Sequence, residues 1–160
     1  MVWEQNPSWL TSVNSDGSTN AAIGASSSLC SNGILCALGM FDNDDSTRWH
    51  CNQPGPCDFE LDFGAVRSLK AIYITSISDR VTHVQVSAKQ ISSDSWNILQ
   101  IFSMSDNLLE EEFASVHSVQ YLRIEVDNSV NRWPAIGEFK LEFTSSIGIQ
   151  NDHSYFNTIL

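Results

Sequence analysis

Gly39-Met40-Phe41-Asp42-Asn43-Asp44-Asp45-Ser46-Thr47-Arg48-Trp49 gathers three carboxylates, an amide and two hydroxyls with no hydrophobic period. A stretch of that kind is a loop, neither helix nor strand. Hard oxygen donors at this density suit a hard cation such as Ca²⁺, which takes six to eight oxygens from side chains and backbone carbonyls. Phe41 and Trp49 at either side are expected to anchor the loop on a core and fix its turn. The plainer reading is a solvated acidic turn. An EF-hand is excluded, because no Gly stands at the sixth loop position and no Glu closes a twelve-residue loop. Any further metal ligands must therefore come from elsewhere in the chain.

Moving outward, the flanks read as short strands. Ala21 to Ser27 can form a first strand, and residues 28–57 a long loop region of the length that usually carries function. Phe59-Glu60-Leu61-Asp62-Phe63 alternates apolar and acidic residues, the mark of a half-buried strand, with Gly64 ending it. Leu69 to Ile74, Val84 to Val86, Trp96 to Phe102, Val119 to Val126 and Ile136 to Phe143 continue the series, separated by turns. Asp106 to Phe113 is open between a helical turn and an edge segment. With no convincing long amphipathic helix, the prediction is an all-β chain, a jelly-roll β-sandwich of about eight antiparallel strands. Residues 1–19 read as an N-terminal arm, 20–143 as the sandwich and 144–160 as a C-terminal tail.

The chain has 160 residues, 42% hydrophobic and 17% charged, which is one globular domain with a real core. Its formal net charge of −11 repels phosphate backbones and anionic lipid, so nucleic acid is excluded as a partner and any membrane association is indirect. No apolar run is long enough to span a bilayer, and Met1 to Pro7 shows neither the basic region nor the apolar core of a signal peptide. No nucleophile elbow, phosphate-binding loop or zinc-protease motif is present, so catalysis is not expected.

Cys30, Cys36, Cys51 and Cys57 flank the acidic loop. Two disulfides are expected, and three connectivities are possible. Local pairing of Cys30 with Cys36 and of Cys51 with Cys57 is favoured, since each closes a small loop of turn-forming residues. Zinc fits less well, because both intervals hold five residues instead of the two to four usual for zinc. Reduced thiols in a cytosolic protein are the remaining alternative; disulfides would imply an oxidising compartment.

Asp42-Asn43-Asp44-x-x-Thr47-x-Trp49 resembles the signature of coagulation-factor type C, or discoidin, domains, and of the similar family 32 carbohydrate-binding modules and fucolectins. Further landmarks follow in order: Ala25-Ser26-Ser27 before it, then Leu61-Asp62-Phe63-Gly64, Val86-Ser87 with Trp96, Tyr121-Leu122-Arg123-Ile124, and Trp133-Pro134-Ala135-Ile136-Gly137-Glu138-Phe139. Asn43 stands where the family usually has Gly, and Asn also reaches positive φ. The resemblance implies one structural Ca²⁺ on the carboxylates of Asp42 and Glu138, the carbonyls of Gly39, Asp44 and Gly137, and Thr47. It also implies a sugar site at one end of the sandwich, with Trp133 to stack on a sugar ring, His50 and Arg80 to hold its hydroxyls, and Asp79 and Asn131 as further partners.

The function expected is a calcium-stabilised lectin-like module for galactose-, GalNAc- or fucose-type glycans and glycoproteins in cell recognition or adhesion, extracellular or at the cell surface. Oligomers would supply avidity. The rival is a protein-interaction module without a sugar ligand, cytoplasmic, similar to the Doc subunit of the anaphase-promoting complex and to ciliary adaptors.

Overall fold

The computed structural model describes residue 3 and residues 23–25, 39–44, 46–51, 54–128 and 132–144. Seven strands run β1 (Ile23–Ala25), β2 (Trp49–His50), β3 (Cys57–Ser76), β4 (His83–Lys89), β5 (Asn97–Ser103), β6 (Leu108–Asp127) and β7 (Ala135–Phe143), with no helix among the described residues. Every pairing is antiparallel.

The two long strands shape the molecule. β3 and β6 pair along most of their length, but the register shifts between Asp62 and Arg67. Before the shift, Cys57 to Asp62 pair with Tyr121 to Val126; after it, Arg67 to Thr75 pair with Leu108 to Val119. The ribbon then doubles back, because its two ends meet at Asp79, which donates to Asn107 Oδ1 at 2.6 Å and accepts from Asn128 Nδ2 at 2.7 Å. Gly64 stands at the corner with φ of 71°, and its N–H donates to the Asp62 carboxylate at 2.8 Å. A side chain there would be strained. The expected strand end at Gly64 is thus a corner that the strand turns.

Doubling the ribbon makes a sandwich. One layer orders β1, the first half of β3, the second half of β6, β4 and β5. The other orders β2, β7, the second half of β3 and the first half of β6. Leu108 to Phe113 is therefore an edge segment, which settles the open choice at that stretch.

Burial follows the pleat. Phe59, Leu61, Leu122, Ile124 and Val126 point inward, while Asp58, Glu60, Arg123 and Glu125 alternate outward. Rings join the layers edge to face: Phe59 lies 5.2 Å from Phe139 and 5.6 Å from Trp49, and Phe102 lies 5.9 Å from Phe113. Such pairs add about 0.5–1.5 kcal/mol each beyond area burial. Outside, Arg123 lies over the Trp96 ring at 4.5 Å and donates to Glu60.

Cys51 and Cys57 form a disulfide with Cα atoms 6.3 Å apart, tying the end of β2 to the start of β3. Cys30, Cys36 and Asn131 lie outside the described residues, as do the tail beyond Thr144 and all of the arm except Trp3. The Trp3 ring packs on Tyr73 at 5.5 Å, and its indole N–H donates to Glu110 at 3.3 Å.

Candidate functional site

The acidic loop is built from two consecutive Asx turns, in which a carboxylate accepts from the N–H two residues on. Asp42 Oδ1 accepts from Asp44 N at 3.0 Å, and Asp44 Oδ1 accepts from Ser46 N at 2.9 Å and from the Ser46 hydroxyl at 2.6 Å. The Ser46 hydroxyl first, and its N–H second, hold the Asp44 carboxyl below its ordinary value. Between the turns Asn43 has φ of 57°, the left-handed conformation that Asn tolerates in place of Gly.

Three oxygens converge on Thr47 Oγ1: Asp42 Oδ2 at 2.6 Å, Asp44 O at 2.9 Å and Gly39 O at 3.0 Å. The loop is pinned at its base by Phe41, which packs on Phe139 and Phe59, and by Trp49, which has no exposure. Along its side it lies on β7. Phe139 N donates to Met40 O at 2.7 Å, and Lys140 Nζ donates to Asn43 Oδ1 at 2.8 Å.

β7 brings Glu138 to this loop by breaking its own pleat. The β3–β7 register shifts between Ile74 and Ser76, so that Gly137 and Glu138 oppose Thr75 alone. The Glu138 N–H donates to Thr75 Oγ1 at 2.8 Å, and Ala135 to Phe139 are buried without alternation. Glu138 is 2% exposed, one residue from the bond to Met40. Among the described residues no three His, Cys, Asp or Glu side chains cluster as a metal site. The set expected here has two such side chains, and its remaining oxygens are carbonyls and a hydroxyl.

The second group lies where the ribbon ends meet. Arg80, in the loop between β3 and β4, donates from Nη1 to Trp133 O at 3.2 Å. His50 on β2 pairs with Ala135, two residues after Trp133, and Cys51 N donates to Pro134 O at 2.9 Å. Trp133 is 40% exposed. His50 Nδ1 is buried with no hydrogen-bond partner among the described residues, and burial, then the charges of Arg48 and Arg80, push its pKa below the ordinary value. The ring is therefore neutral at neutral pH, with one donor and one acceptor nitrogen.

Asp79 sits in the same loop by its backbone. Its N–H donates to Asn107 Oδ1 at 2.6 Å, and its carbonyl accepts from Asn128 Nδ2 at 2.7 Å. Its side chain is exposed. The structure thus brings His50, Arg80, Trp133 and Asp79 to one end of the sandwich.

Sequence reasoning missed the residues that position these groups: Thr75 under Glu138, Lys140 on Asn43, and Asn107 and Asn128 around Asp79. Arg132 joins them, donating to Ser78 O at 3.2 Å. Only the Asp106-Asn107 pair carries a sequence signal, since both adopt positive φ, as Asp and Asn tolerate in turns. A cavity of about 400 Å³ opens at the opposite end, lined by Lys89, Asp94, Asn97 and His117 among others, with no Trp, Tyr or Phe in its wall.

No protein-family model matches this sequence, and no curated protein is significantly similar to it. Solved structures do match it. Chitosan-binding module 1 from the chitosanase/glucanase of Paenibacillus sp. IK-5 superposes with a TM-score of 0.65 at 16% identity, over 77% of this chain and 95% of that one. The family 32 carbohydrate-binding module of C. perfringens NanJ, solved with galactose, gives 0.62 at 17% identity over 76% and 92%. The family 32 module of AlyQ, solved with 4,5-unsaturated mannuronic acid, gives 0.61 at 22% identity over 76% and 93%. This chain has their β-sandwich fold.

Proposed function

We propose that this chain, which shares its sandwich with a chitosan-binding module and with modules solved with galactose and with 4,5-unsaturated mannuronic acid, is a non-catalytic carbohydrate-binding module of the extracellular or cell-surface space. The ligands are glycans or glycoproteins with galactose-, GalNAc- or fucose-type residues, bound in recognition or adhesion. The observation that carries the reading is the bond from Arg80 to the Trp133 main-chain carbonyl, which holds a guanidinium beside an exposed tryptophan, with His50 paired to Ala135 two residues on. A flat aromatic covers the C–H face of a sugar ring, and planar polar groups take the hydroxyls. Asp79 and Asn131 are the further hydroxyl partners. The Cys51–Cys57 disulfide supports an oxidising compartment over the cytoplasm.

We also propose a structural Ca²⁺ on Gly39, Asp42, Asp44, Thr47, Gly137 and Glu138. The residues fit it. The Thr47 hydroxyl has one proton, so it can donate to only one of the three oxygens around it. Oxygens gathered beyond the supply of protons are the surroundings of a hard cation. When bound, the ion supplies positive charge to that cage and ties the loop to β7 through Glu138.

The test is titration of wild type and Trp133→Ala against a panel of monosaccharides, by calorimetry or ligand-observed NMR. Galactose-type sugars should bind wild type, and Trp133→Ala should lose detectable binding at an unchanged thermal midpoint. Wild type silent to every sugar, or Trp133→Ala binding as wild type does, overturns the site.

A further inference from the structure

Among the described residues β5 ends the sheet path and pairs only with β4, so one whole side of its backbone is open. An open edge is a template for another strand, and proteins normally guard it with charge, Pro or a covering segment. The opposite layer does so: its open strand, the first half of β6, carries exposed Glu110, Glu111 and Glu112. β5 reads Asn-Ile-Leu-Gln-Ile-Phe-Ser, without one charge or proline. Its register with β4 shifts between Val86 and Ser87, leaving Leu99 bulged. Ile98 therefore lies opposite Ser87 and Ile101 opposite Gln85, which puts both isoleucines on the outer face, 59% and 60% exposed.

The strand's own sequence selects the occupant, since Ile98 and Ile101 stand symmetrically about Leu99 and Gln100, and charge leaves this edge open to a second copy. Two chains of net −11 repel over most of their surfaces. Along β5, and beside it at Gln85 and Ser87, no carboxylate meets a carboxylate; Glu125 and Asp127 lie one strand further in. We propose that β5 is a self-pairing edge, where a second copy of this chain adds its own β5 antiparallel across a two-fold axis. Centring the pair between Leu99 and Gln100 sets Ile98 of each copy directly opposite Ile101 of the other, on one face, the cross-strand contact that stabilises antiparallel pairs. Strands so paired run oppositely, so the two Arg80–Trp133 ends point to opposite poles. Bridging of two glycan surfaces by such a dimer rests on the sugar reading; the pairing itself does not.

The test is sedimentation equilibrium over a wide concentration range at low and high salt. Wild type should form a reversible dimer, and salt should favour it by screening the repulsion. Ile98→Lys with Ile101→Lys sets lysine against lysine and should be monomeric, although it lowers the net negative charge. Both positions are exposed, so at protein concentrations where wild type is itself monomeric the two thermal midpoints should match. Ile98→Lys with Ile101→Glu sets each Lys against a Glu of the other copy and should restore the dimer. A wild type that stays monomeric at every concentration and salt, or a double-lysine variant that still dimerises, overturns the pairing. A Lys/Glu variant as monomeric as the double-lysine one overturns the register.

Discussion

The bulge at Gly137 sets a sharp test of how β7 is held. A Cβ added there would stand 2.9 Å from Thr75 Oγ1, closer than real contacts allow, with the Ile77 side chain behind it at 3.9 Å. Thr75 is β-branched, and its hydroxyl is fixed by the Glu138 N–H at 2.8 Å. Gly137→Ala must therefore rotate Thr75 or push the strands apart. Rotation strips a part-buried N–H of its acceptor, which costs about 1–3 kcal/mol. A loss of about 2 kcal/mol should lower the thermal midpoint by about 4–8 °C for a chain of this size. The assay is a double-mutant cycle by denaturant and thermal unfolding, with Thr75→Ala as partner. Thr75→Ala removes both the obstacle and the acceptor, so Gly137→Ala on that background should cost under about 0.5 kcal/mol, a coupling of at least about 1 kcal/mol. Equal costs in the two backgrounds would refute the contact as the reason for glycine.

Millimolar Ca²⁺ should raise the midpoint, by the equivalent of about 2.7 kcal/mol at a hundredfold excess over Kd. Asp42→Asn and Glu138→Gln should each abolish that shift; a midpoint indifferent to EDTA in metal-stripped buffer would remove the ion. Breaking the Cys51–Cys57 bridge, whose ends are six residues apart, should cost about 2 kcal/mol by loop entropy, read as a lower midpoint of the Cys51→Ser, Cys57→Ser double variant. Non-reducing peptide mapping should show that bridge and one between Cys30 and Cys36. His50 has its folded pKa lowered from 6.5, chiefly by burial, so the unfolded chain takes up the proton first as pH falls. Its contribution to stability should be whole above about pH 6.5 and fade as pH drops towards the folded value. His50→Gln should flatten that part of the midpoint–pH curve, and an unchanged curve would reject the shift.

The strands were legible where a single face is buried, because alternation at Phe59 to Phe63 and Leu122 to Val126 records the pleat directly. β2 was not, being two residues whose strand character comes only from Ile136 and Ala135, far along the chain. Gly64 read as a stop because a glycine marks a positive φ without saying whether the strand ends or turns. The acidic loop was legible because its Asx turns bind over two residues, a spacing that the sequence displays. The Cys51–Cys57 pairing was legible for the same reason of short range.

What stayed hidden is what β7 does. His50 pairs with Ala135, Thr75 crowds Gly137, Met40 bonds to Phe139 and Lys140 reaches Asn43, so three stretches of the chain, the acidic loop, β2 and β3, meet on six residues of one strand. Register is a relation between distant segments, and no local pattern states it. The placement has a consequence for variants. Asp42→Asn acts on the cation cage alone and Trp133→Ala on the indole face alone, so each should spare the other property. Gly137→Ala moves the strand beneath both, and should weaken calcium stabilisation and sugar binding together, with titrations of the three variants under both ligands as the measurement. If Gly137→Ala lost one property and kept the other at its wild-type value, the cage and the sugar end would not share β7 as their support.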